Sequence, residues 1–419
     1  MAKHNHRSIQ ASDVPSRRFE ANQLFTPSAP IAVAEMFAGR QRQAARIVDA
    51  IGERGKHVVM YGERGVGKSS MAQMIPFFLP SGNQAVRHIR VQCFPGDNFS
   101  KIAKRIFSRI HFDADYGEGK RAYSVAEFYP GEVTIDDFLQ EMEQFKEHQI
   151  PIIVIDEFNE VDDEETSVII SNLIKSLSDN ASNVTIVVVG VANSLLDLME
   201  RHESIERCTE QINMPRMSPD ERREVIEKRL SKLGMAIEDD AKWTIINLSR
   251  GLPAYVHSLG KHAVYSAIEE LRVKITINDV NKAIEEVITG LQETLREGFE
   301  LATRSNHAKA RFKPVLTACA LARCDDSGFF MPVAVCEPLA SITKKTVEIA
   351  NFTDMLMEFA DRRGQILERT GEARAYRFRF AKPAMQPYVL MRGIQAGLVG
   401  EDVKRSLSSP RQGDLFAND

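Results

Sequence analysis

Short runs of consecutive apolar residues alternate, along the first half of the chain, with stretches of helical spacing. Residues 57–61, 151–155 and 184–189 are almost wholly apolar. Each run has the length of one strand, and unbroken apolarity marks a strand covered on both faces. Residues 86–93 fit another strand, and 210–214 a last one. Within 40–52, Ala44, Ala45, Ile47, Val48 and Ile51 share one helical face. Helices also fit 99–110, 135–149 and 164–177, and one begins at Lys68. Residues 112–134 fit neither period. Buried strands alternating with helices predict an α/β domain with a parallel sheet covered on both sides.

The pattern changes after Met214. Ser218-Pro219-Asp220-Glu221 reads as a helix start, with a serine cap, proline at the first position and glutamate three residues on. From there to about residue 305 only helical spacing is visible, broken at Gly251-Leu252-Pro253 and near Thr276, which predicts a separate helical domain. Beyond it, helices fit 314–323, 332–339 and 352–363. Strands then fit 365–370 and 375–380, around Gly371-Glu372. Three helices followed by a hairpin is the order of a winged helix. The expected division is a flexible N-terminal arm over 1–30 anchored by Leu24 and Phe25, an α/β domain over 31–214, a helical domain over 215–305, a winged helix over 306–395 and a disordered tail over 396–419.

The 419 residues carry a net charge of −4, so any basic surface must be local. No apolar run approaches the roughly 20 residues of a membrane span, and the N-terminus has no signal-peptide core. The five cysteines, Cys93, Cys208, Cys319, Cys324 and Cys336, are odd in number and lack C-x-x-C spacing, which suits a reducing compartment. A cytoplasmic protein without membrane contact is expected.

Candidate chemistry begins with Gly62-Glu63-Arg64-Gly65-Val66-Gly67-Lys68-Ser69. This matches the phosphate-binding loop G-x-x-x-x-G-K-[ST] between an apolar strand and a helix. The glycines let backbone amides wrap phosphates, Lys68 reaches the β- and γ-phosphates, Ser69 ligates Mg²⁺, and Ser70 follows on the same turn. ATP and Mg²⁺ are the expected cofactors. The strand at 152–155 ends in Asp156 and Glu157. Asp156 is placed to hold Mg²⁺, and Glu157 to polarise the attacking water as general base. The strand at 187–190 leads to Asn193, which either contacts the γ-phosphate or caps the next helix.

The order of phosphate-binding loop, Asp-Glu strand, Asn-terminated strand and helical domain resembles an AAA+ ATPase. With the added winged helix, the layout over about residues 31–393 resembles the origin-recognition and replication-initiator clade, and also the ATPases that regulate DNA transposition. The resemblance implies an AAA+ domain with a helical lid. It implies that Phe37-Ala38-Gly39-Arg40 lines the adenine pocket, chiefly through Phe37 and Arg40. It also implies that Arg207, with Arg201 as runner-up, is an arginine finger acting on a neighbour's ATP in a homo-oligomer. The lid's second sensor is ordinarily an arginine. Here Tyr255 and His257 stand near that place, which implies a different reading of the γ-phosphate or slow turnover.

Between Lys309 and Gly393 there are 14 Lys and Arg against 9 Asp and Glu, a net of +5 inside an acidic chain. Arg362 and Arg363 close the expected recognition helix, and Arg369, Arg374, Arg377 and Arg379 lie on the hairpin. Arg377 and Arg379 share a face at strand period. Such a wing suits the phosphates of double-stranded DNA, or else presents a solvated face while the winged helix makes protein contacts. In the tail, Gln412 to Phe416 (Gln-Gly-Asp-Leu-Phe) resembles the peptide that docks bacterial proteins on the sliding clamp. The expected function is an ATP-hydrolysing AAA+ switch acting on DNA. The alternatives are a signalling or defence-type ATPase whose winged helix holds the protein closed or contacts a partner, and a loader of another protein onto DNA.

Overall fold

The computed structural model describes residues 9–27, 34–79, 85–115, 120–145, 149–191, 203–290, 293–305, 311–325, 327–372 and 375–409. A first helix, α1 (Val14–Leu24), is followed by α2 (Gln41–Gly52), β1 (His57–Tyr61), α3 (Lys68–Phe78), β2 (Ala85–Gln92) and α4 (Phe99–Phe107). Residues that fit neither period in the sequence form an antiparallel pair, β3 (His111–Asp115) and β4 (Lys120–Ser124). Then come α5 (Ile135–Glu143), β5 (Gln149–Asp156), α6 (Glu164–Asp179), β6 (Thr185–Gly190), α7 (Glu203–Cys208) and β7 (Thr209–Asn213).

Five strands form one parallel sheet in the order β2-β5-β6-β1-β7. Successive residues of its central strands enter opposite cores, as the pleat demands. Val58, Met60, Ile152, Val154, Val187 and Val189 face one apolar cluster, and Val59, Ile153, Ile155, Ile186 and Val188 face the other. The expected α/β AAA+ sheet is therefore present, with helices on both sides. Because β1 and β5 run parallel, the turns after Tyr61 and after Ile155 open on the same edge of the sheet. Ligands bind at that edge in open α/β sheets.

The lid consists of α8 (Pro219–Leu233), α9 (Asp239–Leu248), α10 (Pro253–Glu269) and α11 (Ile277–Gly290), with β8 (Ala236–Ile237) pairing β9 (Lys274–Ile275). Two-residue strands carry no readable period. The capping box of Ser218 and Glu221 forms as expected. Buried Asp279 ties the lid together, accepting from Ser266, Arg272 and Thr276.

The C-terminal unit begins earlier than expected. Helix α12 (Glu293–Thr303), assigned by its spacing to the lid, packs Phe299 edge-on against Tyr388 at 5.8 Å. The winged helix follows as α13 (Phe312–Leu321), α14 (Val333–Thr343), α15 (Thr353–Asp361), β10 (Leu367–Thr370) and β11 (Arg377–Phe380). Phe330 adds a bridge to Phe378. Next are α16 (Met385–Gln395) and α17 (Glu401–Leu407). No helix of the described residues is long and apolar enough to cross a membrane.

Two expected boundaries are corrected. The supposed arm holds α1, whose Ala21 and adjoining Phe25 are buried. Arg229 donates to Leu24 O at 2.9 Å, and the Phe25 ring lies against Gly260 and His257. The supposed tail is helical over Glu401–Leu407, with Val403 and Leu407 buried and Asn247 donating to Leu407 O at 2.7 Å. Both segments look polar because each contributes only two or three apolar residues. The lid supplies the rest of the contact.

Phe25→Ala should weaken the docking of α1 by about 3–5 kcal/mol and expose Arg17 and Arg18 to trypsin. Limited proteolysis should then cut there about tenfold faster or more. Equal cleavage of both proteins would show that Phe25 does not hold the segment.

Candidate nucleotide site

The phosphate-binding loop leaves β1, the strand flanked by β6 and β7. Gly62 passes so close to the next crossing that a Cβ there would lie 2.3 Å from Met214 O. Gly65 and Gly67 take φ +85° and +98°, which disfavour side chains. Lys68 opens α3 and is buried, its Nζ donating to Gly62 O at 3.0 Å and Glu63 O at 2.8 Å. Burial pushes its ammonium down to about 8, against the pull of Glu157 and Asp156. It stays mostly charged at neutral pH, and phosphates beside it would favour the ammonium further. Arg64 is exposed and paired with Glu160, and Ser69 and Ser70 are half-buried on the first turn of α3.

Asp156 ends β5 with only 1% exposure. Arg90 of β2 donates to its Oδ2 through Nε at 3.1 Å and a terminal nitrogen at 2.5 Å, and Glu157 N donates to its Oδ1 at 2.9 Å. Glu157 stands in the left-handed region at φ +56°. A non-glycine residue held there carries strain of about 1–3 kcal/mol and marks functional turns. Its carboxylate has no hydrogen bond or ion pair among the described residues and lines the cavity beside Lys68 and Ser69. Below it Asn159 accepts from Val191 N at 3.1 Å, fixing the end of β6 to the end of β5.

The cavity over this edge measures about 530 Å³, within the range of small-ligand sites. Gly65, Gly67, Lys68, Ser69 and Glu157 form its floor. Phe94 and Pro95, just past β2, form one wall, and Thr26, Pro27, Pro253, Ala254 and His257 close it from above. Pro253 is thus more than a helix break: it abuts Gly67 from the start of α10. His257 accepts from Thr26 N at 3.0 Å through Nδ1, and burial, helped by Arg229, pushes its pKa down to about 3. It is a neutral wall. Tyr255 turns away and donates to Ala384 O at 2.6 Å. The lid therefore sends no cation from these two positions into the cavity.

The donor set suits Mg²⁺. One serine hydroxyl in the cavity lining and one carboxylate beneath it, held here by Arg90, are hard oxygens of the kind Mg²⁺ takes, ordinarily one or two carboxylates plus substrate phosphates. No cluster of three His, Cys, Asp or Glu competes for a metal among the described residues.

Other expected residues fall differently. Phe37 and Arg40 do not line this cavity. Phe37 meets the Phe78 ring at 5.2 Å, behind α3. Arg40 is buried, with a terminal nitrogen donating to Val66 O at 3.3 Å and to Pro215 O. It braces the loop from outside because its short-range partners are backbone carbonyls. Glu63 also points away from the cavity. Its carboxylate takes Arg216 Nε at 2.6 Å, and Arg216 donates in turn to Gln386 of α16 and to Arg250 O. Arg207 is exposed at the opposite edge of the sheet, since Thr209 is in register with His57 at the start of β1. It cannot reach its own phosphate-binding loop. Asn193, Arg201, Arg374 and residues 412–416 lie outside the described residues.

The hairpin arginines do share a face: Arg377 and Arg379 both lie over the Phe329 ring, at 5.3 and 4.6 Å. Each, however, has an acid in its own chain. Arg369 pairs with Asp361, Arg377 with Asp325 and Arg379 with Glu368. Arg363 is structural, holding Glu358, two carbonyls and the Phe312 ring. Arg362 is exposed and has no acidic partner among the described residues. Sequence reasoning missed Thr26, Pro27, Arg90, Asn159 and Arg216, none of which lies in a motif. Arg90 is the nearest to legible, as a cation in a strand beside the acidic one.

Comparison with known proteins bears on the fold and the family. An ORC1-type DNA replication protein of Thermoplasma volcanium is 24% identical over 270 residues, covering 60% of this chain and 62% of the relative. The chain thus spans less than two thirds of that protein. Among solved structures, the Walker-type ATPase of Pyrococcus abyssi matches with a TM-score of 0.52 at 14% identity, covering 88% of this chain and 99% of that one. The ORC2 protein of Aeropyrum pernix matches with a TM-score of 0.50 at 15% identity, covering 90% and 98%. At such identities the structural likeness establishes the fold. Residues 30–260, more than half of the chain, match the family described as Novel STAND NTPase 1, and the chain belongs to that family.

Proposed function

We propose that the protein is an ATP-hydrolysing switch whose phosphate-binding loop controls the winged helix. The observation that carries this is the chain of contacts from Glu63 through Arg216 to Gln386. Lys68 donates to the carbonyl of the same Glu63. When Lys68 turns to the β- and γ-phosphates, that carbonyl loses its partner, and the residue gripping Arg216 is freed to move. Nucleotide binding then biases whether the winged helix stays docked.

Hydrolysis on this reading uses Glu157 to accept a proton from the attacking water, with Lys68 beside the phosphates and Ser69 and Asp156 as the Mg²⁺ site. Mg²⁺, when bound, neutralises phosphate charge. Arg207, facing outward, completes the site of a second copy.

Double-stranded DNA is the second reading. It is favoured by exposed Arg362 and Arg377 and half-buried Arg379 on the winged helix, and by the ORC1-type relative. Exposed ion pairs such as Arg377–Asp325 are worth about 0–1 kcal/mol, so phosphates can replace the acids.

Glu63→Gln should loosen the winged helix without abolishing nucleotide binding. Hydrogen exchange in residues 385–395 should rise to the level that ATP induces in the parent; unchanged exchange in both would remove the switch. Glu157→Gln should bind ATP yet hydrolyse it about 10²-fold or more slowly, whereas normal turnover would assign the base elsewhere. For DNA, the triple change of Arg362, Arg377 and Arg379 to Ala should flatten the salt dependence of duplex binding by about 3 in log–log slope. A parent chain that binds no duplex at low salt rules this reading out.

A further inference from the structure

A second cleft, of about 1010 Å³, opens where the starts of α2 and α8, the lid turn at Arg250 and residues 321–325 after α13 come together. It shares no lining residue with the nucleotide cavity. Its charge is unbalanced. All five carboxylates that line it already hold a cation, at 2.7–3.9 Å. Four lining arginines, Arg42, Arg222, Arg250 and Arg323, form no ion pair with a carboxylate among the described residues.

One of these four is withdrawn from water and a second, Arg250, is half-buried. Arg222 is 8% exposed and holds only uncharged oxygens, from Ser218, Ile246 and Ser249. Arg250 donates to Ala322 O at 2.7 Å and sits at φ +48°, a conformation that costs a non-glycine residue energy and recurs at ligand clamps. Burial, then repulsion from Arg250, pushes the Arg222 guanidinium down to about 9, so it stays charged at neutral pH. Arg42 and Arg323 stand exposed at the rim. The 15-residue helix α8 begins at this cleft, adding the positive end of its dipole.

We propose that this cleft binds a small phosphate-bearing anion, held by Arg42, Arg222, Arg250 and Arg323. Guanidinium forks match phosphate oxygens in pairs. Four uncompensated guanidiniums call for several negative charges, which a single carboxylate does not bring. The volume is that of a small-molecule site and does not admit a duplex. Because Arg42 belongs to the α/β domain, Arg222 and Arg250 to the lid, and Arg323 to the winged-helix unit, the anion fastens all three units together. It acts as an effector that holds the closed arrangement, independently of ATP at the phosphate-binding loop.

The test uses the full chain carrying Lys68→Ala, so that the phosphate-binding loop does not contribute, and inorganic triphosphate as the probe. Calorimetry should show saturable one-to-one binding and a raised Tm. Adding Arg42→Ala and Arg323→Ala, both at exposed positions that do not support the core, should weaken that binding about tenfold or more. Absence of saturable binding, or affinity unchanged by the two arginine changes, overturns the proposal. A short duplex that binds in an Arg42- and Arg323-dependent way where triphosphate does not would also overturn it, assigning the charge to nucleic acid instead.

Discussion

The buried ion pair between Glu63 and Arg216 is the contact on which the arrangement of the three domains rests. Both side chains are nearly excluded from water, at 6% and 11% exposure. A buried pair of this kind is not stabilising by default, because desolvation of two charges offsets their attraction unless further hydrogen bonds are made. Here they are made: Arg216 also donates to Gln386 and to Arg250 O. The pair thus gathers the phosphate-binding loop, the segment after β7, the lid and the winged helix around one guanidinium. Removing either partner strands a charge in a dry site, so partial separation is unfavourable. On the proposed reading, the domains either stay docked or part far enough to hydrate both groups, and an element with two such states is what a switch requires.

Packing around the pair enforces the same choice. A side chain at Gly328 would collide with Glu63 and Arg216, and one at Gly251 with Arg216. Tyr255 bonds Ala384 at the foot of α16, while two residues further along α10 His257 receives Thr26 N. The same lid helix therefore touches the winged helix on one side and roofs the nucleotide cavity on the other. Movement of either neighbour is felt by the other through a rigid element rather than through a loop.

Much of this was legible in the chain, and the boundary follows from range. The central strands announced themselves because both of their faces are buried, so apolarity is continuous. The phosphate-binding loop and the Asp156-Glu157 turn were legible because their geometry is local. What sequence could not supply is the partner of a charge. Arg379 lies opposite Glu368 only through the register of the hairpin, and Arg90 meets Asp156 only because β2 lies against β5. Likewise α1 has too few apolar residues to read as a docked helix. Its place is set by Phe25 and by Arg229 binding the carbonyl of Leu24, a contact 205 residues away in sequence. Phe37 and Arg40 stand near the loop in sequence, but proximity along the chain did not decide which side of it they face.

The cations available to the γ-phosphate bear on how fast such a switch runs. Among the described residues lining the nucleotide cavity, Lys68 and Arg64 are the basic ones, and Arg64 already holds Glu160 at the exposed rim. Arg90 is held by Asp156 beneath the floor. The lid, which in the resembled family supplies an arginine, offers here a tyrosine that faces away and a histidine that burial keeps neutral. A single chain on this reading binds nucleotide well and stabilises the charge of the transition state poorly, because charge developing in a dry site needs donors already in place. Among the described residues of one chain, no further cation is in place to do this. On the proposed reading, Arg207, exposed and far from its own loop, brings that cation to a second copy. Slow turnover alone and faster turnover in an assembly then follow from one arrangement of charges, and ATP serves as the holding signal until a neighbour arrives.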